Sequence, residues 1–491
     1  MLTASMEGDT MAGRRHLSRR RLFAALGGAG ALALLAACGP AATPTPPAAE
    51  KPAPAADAAV PKPAAAATTA PAAPAKPTEA AKPAAAAPAT KSTYQGKFTV
   101  FGVSVAEQGQ GKLNQDFEAT RSGVKVEYTF MPSAKFVELF TAAQNAGEQI
   151  DVLILNGQDL RRYATANQLV DLTSEITYKD RIRPIGLRTY TISGKLWALP
   201  YGSIGGFPIW YNQVLLEKLG LKYPATFQDL VAMKGELKKA NVAAYTHSGK
   251  EIYLWPVWFF TTYAQTTRNQ SVEKTVATLK GQSKFTDAEA LEALDAIFKH
   301  GKESLFIEGV NSLDIDGATA TFLTGKAALW LHHNGLIRTV REANPPNMTL
   351  DVALAPQMVA EKVQSQFPGG TGAALCIYHK IDDKRRPLAF EYLDFLTQDK
   401  NVEFLVREGK GSVATNANAK PSDDPVAIKF GNELIDQLRI YLDWYWPPQI
   451  TRAFQENIQA GVGGQKTAEQ AAKDIQAVFD KLVADGYKYQ D

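Results

Sequence analysis

From Lys97 onward the apolar positions switch between a period of two and a period near 3.6, and the switches predict an alternating order of elements. "GKFTVFGV" reads as a short apolar strand, and "NQDFEATRSG" continues a helix that stops at Gly123. "VKVEYTFM" is a second strand, "SAKFVELFTAAQNAG" an amphipathic helix, and "QIDVLILN" a buried strand ending at Asn156. Strand, helix, strand in that order predicts a parallel sheet with crossover helices. Ligands of open α/β sheets collect beyond the carboxyl ends of the strands, here 104–108 and 156–159. Further strands are expected at "FPIWYN", "AALWLHH", "LDVALAP" and "GAALCIY", and capping-box helix starts at Thr226, Thr286 and Thr467. The last 70 or so residues read as mostly helical, and no internal repeat is visible.

The first 95 residues follow a different pattern. The uncharged run 22–37 falls short of the ~20 residues that span a bilayer. "HLSRRRLF" precedes it, and a cationic start, a short apolar run and small residues make an export signal. The Ser-Arg-Arg order is similar to a twin-arginine signal, the general route being the alternative. "LAAC", ending at Cys38, resembles a bacterial lipobox, in which the cysteine is acylated and starts the mature chain. A cleaved soluble-secretion signal, with Cys38 incidental, is the other reading. Residues 39–95 are low-complexity Ala, Pro and Thr with scattered Lys, and hold almost nothing to bury, so a disordered, extended tether is expected.

Residues 1–38 contain five of the 53 Lys and Arg but two of the 50 Asp and Glu, so the remainder is neutral despite the overall charge of +3. Nucleic acid is therefore not an expected partner. Of the two cysteines only Cys376 lies in the folded part, which excludes an internal disulfide and a thiolate metal site there. "GAALCIY" marks Cys376 as a buried, inert thiol. The folded part, 97–491, is too long for one core and suits two lobes.

Catalytic chemistry has little support. "FGVSVA" matches a nucleophile elbow loosely, but it opens its domain and lacks the last glycine. His332 and His333 are adjacent, so strand geometry would send one to each face rather than both to a metal. There is no Walker motif and no G-x-G-x-x-G after a strand. No cofactor and no metal are expected. What stands out is aromatic: Tyr253, Trp255, Trp258 and Tyr263 in one stretch, Tyr441, Trp444, Tyr445 and Trp446 in another, and Trp197, Tyr201, Trp210 and Tyr211 in a third. Rigid ring faces suit the C–H faces of pyranose rings, and carboxylates and amides suit the hydroxyls. In "DWYWPPQI", Pro447 holds Trp446 extended and opens a helix behind it. That makes Trp446 the expected platform, with Trp444 as its comparison.

"WALPYGSIGGFPIWYNQVLLEKLGLKYPATFQDL" resembles extracellular solute-binding proteins of family 1, the carbohydrate-type receptors of ABC importers that include maltose-binding protein. "QIDVLILNGQDLRRYATANQLVDLT", "ATFLTGKAALWLHHN", "RRPLAFEYLDFLTQDKNVEFLVREGKGSVATNANA" and "GGQKTAEQAAKDI" follow in the family's order. The resemblance implies an α/β, two-lobed, type II-like periplasmic-binding-protein fold with a C-terminal helical segment. Lobe I would comprise 97–204 and 370–410, and lobe II 205–369 and 411–491. Hinge crossings are expected near Gly205 and Gly206, near Gly369 and Gly370, and over 409–413. By the same resemblance Ser104, Glu107, Gln108, Asn156, Gln158, Asp159, Tyr201, Glu251, Tyr253, Trp255, Trp444 and Trp446 would contact the solute. Where the family often carries a pocket Trp, Gly335 and Leu336 stand instead, which leaves room for smaller or differently polar solutes. The implied protein is a monomeric receptor, not an enzyme, anchored through Cys38 to the outer face of the cell membrane. It would bind a sugar or oligosaccharide and hand it to permease subunits. A non-sugar solute such as a polyol, polyamine or peptide is one alternative, and a secreted lipoprotein hydrolase the other.

Overall fold

Thirteen strands were located among residues 91–103, 109–132, 135–359, 363–408, 413–420 and 422–490, the parts that the computed structural model describes. The export signal, Cys38, most of the tether, Ser104, Glu107, Gln108 and the crossing at 409–412 lie outside them. The described residues belong to one compact unit.

β1 (Gly96–Gly102), β2 (Val124–Phe130) and β3 (Val152–Asn156) pair in parallel, as the alternation predicts. After the two-residue strands β4 (Thr191–Ile192) and β5 (Lys195–Leu196) comes β6 (Leu199–Gly206), then β7 (Ile209–Asn212), β8 (Ala243–Thr246), β9 (Ala327–Leu331) and β10 (Leu350–Ala353). β11 (Phe367–Ile377), β12 (Val413–Ala414) and β13 (Leu438–Ile440) complete the set. The first sheet runs β12-β6-β11-β3-β1-β2, with β13 beside the start of β11. β11 lies antiparallel between β3 and β6, so a strand from late in the chain closes the first lobe. The second sheet runs β10-β7-β9-β8.

The cores divide the molecule in two. Residues 98–201 and 374–405 share one buried cluster around Phe98, Leu153, Tyr392 and Leu396. The second lobe's sheet is covered on both faces: Ile209 and Leu331 face the cluster with Trp258 and Phe454, while Trp210 and Trp330 face that of Phe322 and Phe430. Segment 413–420, assigned above to lobe II, is fastened to lobe I. Arg183 N donates to Thr415 O, and Asn416 Nδ2 to Thr397 O at 2.7 Å.

Thr226 and Thr467 form the expected capping boxes. Thr286 does not: the helix Ala288–Lys302 starts after Asp287, whose carboxylate instead accepts from Lys284 N at 2.9 Å. Cys376 is fully buried, and burial drives its thiol pKa well up.

Lobe II also buries two imidazoles against Tyr245, Trp258 and Phe306. Burial lowers His247 from 6.5 to about 3 and His300 to about 4. Both stay neutral when folded, while the unfolded chain takes up protons below pH 6.5, so stability falls as pH drops through that value. Each imidazole should remove up to ~1.4 kcal/mol per pH unit below it. Urea unfolding at pH 7.5 and 5.5 measures this, and His300→Gln should flatten the loss. An equal loss in that variant would place its cause elsewhere.

Candidate functional site

β6 and β11 carry the chain between lobes, and their register pairs Gly205 with Gly370 and Gly206 with Gly369. At this crossing β13 pairs with β11, and a helical turn, Leu442–Trp444, follows it directly. The turn lays the Trp444 indole over the start of the helix Gly157–Thr165. A Cβ on Gly157 would collide with the Trp444 ring, and one on Gly370 would lie 3.4 Å from it. Small residues at both places make the seat for the indole.

Further rings continue from Trp444 across the crossing. Tyr441 lies 5.3 Å from Trp444 between centroids, Phe207 6.1 Å from Tyr441, and His333 5.4 Å from Phe207. Trp444, Tyr441 and Phe207 are half-buried, Trp444 at the edge of the lobe I core and the other two at that of lobe II, and His333 is exposed. The turn holding His333 is pinned to the crossing: Gly206 N donates to Asn334 Oδ1 at 3.0 Å, and Asn334 N to Gly206 O. His332, half-buried, stacks on Trp330 at 3.9 Å. Burial lowers His332 to about 3, so it is neutral near pH 7 and suited to hydroxyls.

A cavity of about 500 Å³ lies between the helix Gly157–Thr165 and the segment 443–455, lined by Gln158, Asp159, Asp443 and Trp444 among others. Burial raises the Asp159 carboxyl, opposed by a hydrogen bond from Asn156 and by Arg162 nearby. Burial pushes Asp443 up to about 7.

Of the residues expected to contact solute, Gln158, Asp159, Trp444 and Trp446 line this groove, and Asn156 hydrogen-bonds to Asp159 beside it. Glu251 and Tyr253 lie on a loop of lobe II that Gln459 ties to the helix Pro448–Val462 through Gly249 O, with Tyr253 53% exposed. Three are more buried than expected. Trp446 borders the cavity but is only 6% exposed, its ring stacked on Phe454 at 4.1 Å against the lobe II core. Trp255 is fully buried, donating Nε1–H to Gly249 O at 3.1 Å. Tyr201 is buried in lobe I, its hydroxyl donating to Gln110 Oε1 at 2.5 Å. Phe207 carries no motif that marks it in the sequence, and the adjacency of His332 and His333 speaks only to a metal. Their positions directly after two strands leading into the crossing are the signal that finds them. Among the described residues no group of three His, Cys, Asp or Glu is placed to hold a metal ion.

Two α/β lobes joined by extended crossings, with an aromatic-lined groove between them, define a two-lobed solute-binding protein. The bacterial extracellular solute-binding protein family matches residues 102–403, and this chain belongs to that family. It is 27% identical over 143 residues to an uncharacterized ABC-transporter extracellular-binding protein of Pyrococcus horikoshii, covering 29% of this chain and 34% of that protein. It is 24% identical to the multiple sugar-binding protein of Streptococcus mutans, over 28% of this chain and 33% of that one. The aligned part thus spans about a third of the length of these curated relatives. The fold is similar to that of a family 1 extracellular solute-binding protein from Bifidobacterium longum subsp. infantis. The TM-score is 0.67 at 17% identity, covering 79% of this chain and 100% of that one.

Proposed function

We propose that this protein is the extracytoplasmic receptor of an ABC importer, and that it captures a sugar or oligosaccharide by closing its lobes. The observation that carries the reading is the run of half-exposed rings from Trp444 through Tyr441 and Phe207 to His333, laid across the interlobe crossing. Ring faces of this kind stack on pyranose C–H surfaces. Around them Asn156, Gln158, Asp159 and Asp443 offer acceptors and donors for hydroxyl groups. The name of the Streptococcus mutans relative supports a sugar. Ser104, Glu107 and Gln108 complete the lobe I side of this proposed site.

Closure bends the chain at Gly205, Gly206, Gly369 and Gly370 and brings the loops of the two sheets together on the solute. The receptor works as a monomer and is not an enzyme. It is fixed to the outer face of the cell membrane through a lipid on Cys38, reached by the tether over 39–95. Permease subunits of the importer take the solute from it. Among the described residues no helix is long and apolar enough to cross a membrane.

A thermal-shift screen against sugars, polyols, peptides and polyamines tests the solute class, since a ligand at ~100 Kd adds about 2.7 kcal/mol of stability. A shift with sugars supports the reading. A shift confined to peptides or polyamines contradicts it.

A further inference from the structure

The helix that bears Gln158 and Asp159 is also gripped from the opposite lobe. The helix Ala468–Ala484 ends in lobe II at Gly486, whose φ of 96° is a conformation open to glycine. Gly486 N donates to Val483 O, and Tyr487 N to Leu482 O at 2.9 Å, which closes the helix and turns the chain back. Tyr487 packs its ring on Phe479 at 6.3 Å, so the turn is held by the lobe II core. The chain then runs to lobe I. Arg161, on the helix Gly157–Thr165, donates Nη1–H to Gln490 O at 2.8 Å. Its guanidinium sits 5.5 Å from the centre of the Tyr489 ring and 5.2 Å from that of Tyr445. Lys280 of lobe II lies 5.9 Å from the Tyr489 ring, which thus has one cation from each lobe beside it.

We propose that segment 486–490 is an interlobe strap, held on lobe I by Arg161, that resists separation of the lobes and so sets how readily the solute groove opens. Arg161 belongs to the lobe I helix, whose Leu160 and Tyr163 lie in that core, whereas Tyr445, Tyr487 and Tyr489 pack on the core of lobe II. Any opening that moves this helix away from the segment 443–455 must break all three Arg161 contacts together. Two cation–π contacts of this partly exposed kind shift an equilibrium by about tenfold. A strap that favours apposed lobes raises solute affinity by the same factor, because less closure remains to be driven by the solute. This consequence rests on the capture reading above; the strap itself does not.

The test is a spin-label distance measurement on the full chain carrying Cys38→Ser, with labels at Ser122→Cys in lobe I and Lys238→Cys in lobe II. Cys376 is buried and stays unlabelled. Without solute, Arg161→Ala and Tyr489→Ala should each raise the population of longer interlobe distances several-fold, up to about tenfold for Arg161→Ala. Arg161→Lys, which keeps a cation over the rings, should retain most of the shorter distances. Distance distributions in both alanine variants that superimpose on the parent's would overturn the strap. Raffinose and maltotriose added to the parent report separately on capture: failure of either to shorten the distance counts against a sugar-driven closure, while the solute-free comparison still decides the strap.

Discussion

Alanine at Trp446 should lower the unfolding free energy by about 3–5 kcal/mol, the range for a large buried aromatic. Its indole is stacked on Phe454 at 4.1 Å with 12° between the planes, and flanked by Phe260 at 5.4 Å and Phe285 at 6.4 Å. Its Nε1 makes no hydrogen bond, so the loss is one of packing and cavity. The effect is on the fold rather than on capture: once folded, the variant should bind solute as the parent does. Denaturant unfolding followed by titration below the midpoint checks both halves. A stability change under 1 kcal/mol would place this ring outside the core.

Asp151→Ala should cost a similar amount, about 3–5 kcal/mol, because it leaves buried partners without their acceptor. Asp151 is fully buried, immediately before β3. One carboxylate oxygen accepts from Thr99 N at 2.9 Å and Gln149 Nε2 at 2.8 Å, the other from Arg385 Nε at 2.7 Å. The residue therefore staples β1 to β3 and both to the helix that follows Arg385. In an Arg385→Ala background the same substitution should cost clearly less, since the stranded guanidinium is gone. Additive losses across the double-mutant cycle would show that the pair is not coupled.

Local chemistry carried the parts of this fold that could be read in advance. The β1, β2 and β3 alternation was legible because each strand-helix unit is contiguous. The caps at Thr226 and Thr467 were legible because a capping box lies within four residues. The antiparallel insertion of β11 between β3 and β6 was not, since pairing across more than 160 residues leaves no local mark. The aromatic residues show the same limit. In an extended segment Trp444 and Trp446, two positions apart, would share one face, but Leu442–Trp444 is a helical turn and the two rings part. How far each ring stands in the groove is decided by Gly157 and Gly370, which make room for Trp444, and by Phe454, which stacks on Trp446 and buries most of it. Trp255 departs from its expected place for a similar reason: its loop curls over Gly249 and takes the ring inward, leaving Tyr253 outside.

The central claim is that Trp444, laid across the interlobe crossing, is the platform on which a captured sugar stacks. Calorimetric titration of the parent, Trp444→Ala and Trp446→Ala with the sugar giving the largest thermal shift tests it most directly. Trp444→Ala should weaken binding by roughly 1–3 kcal/mol, as loss of an aromatic hot spot does, with little change in the stability of the unliganded protein. Trp446→Ala should bind normally. Full affinity after Trp444→Ala would contradict the claim.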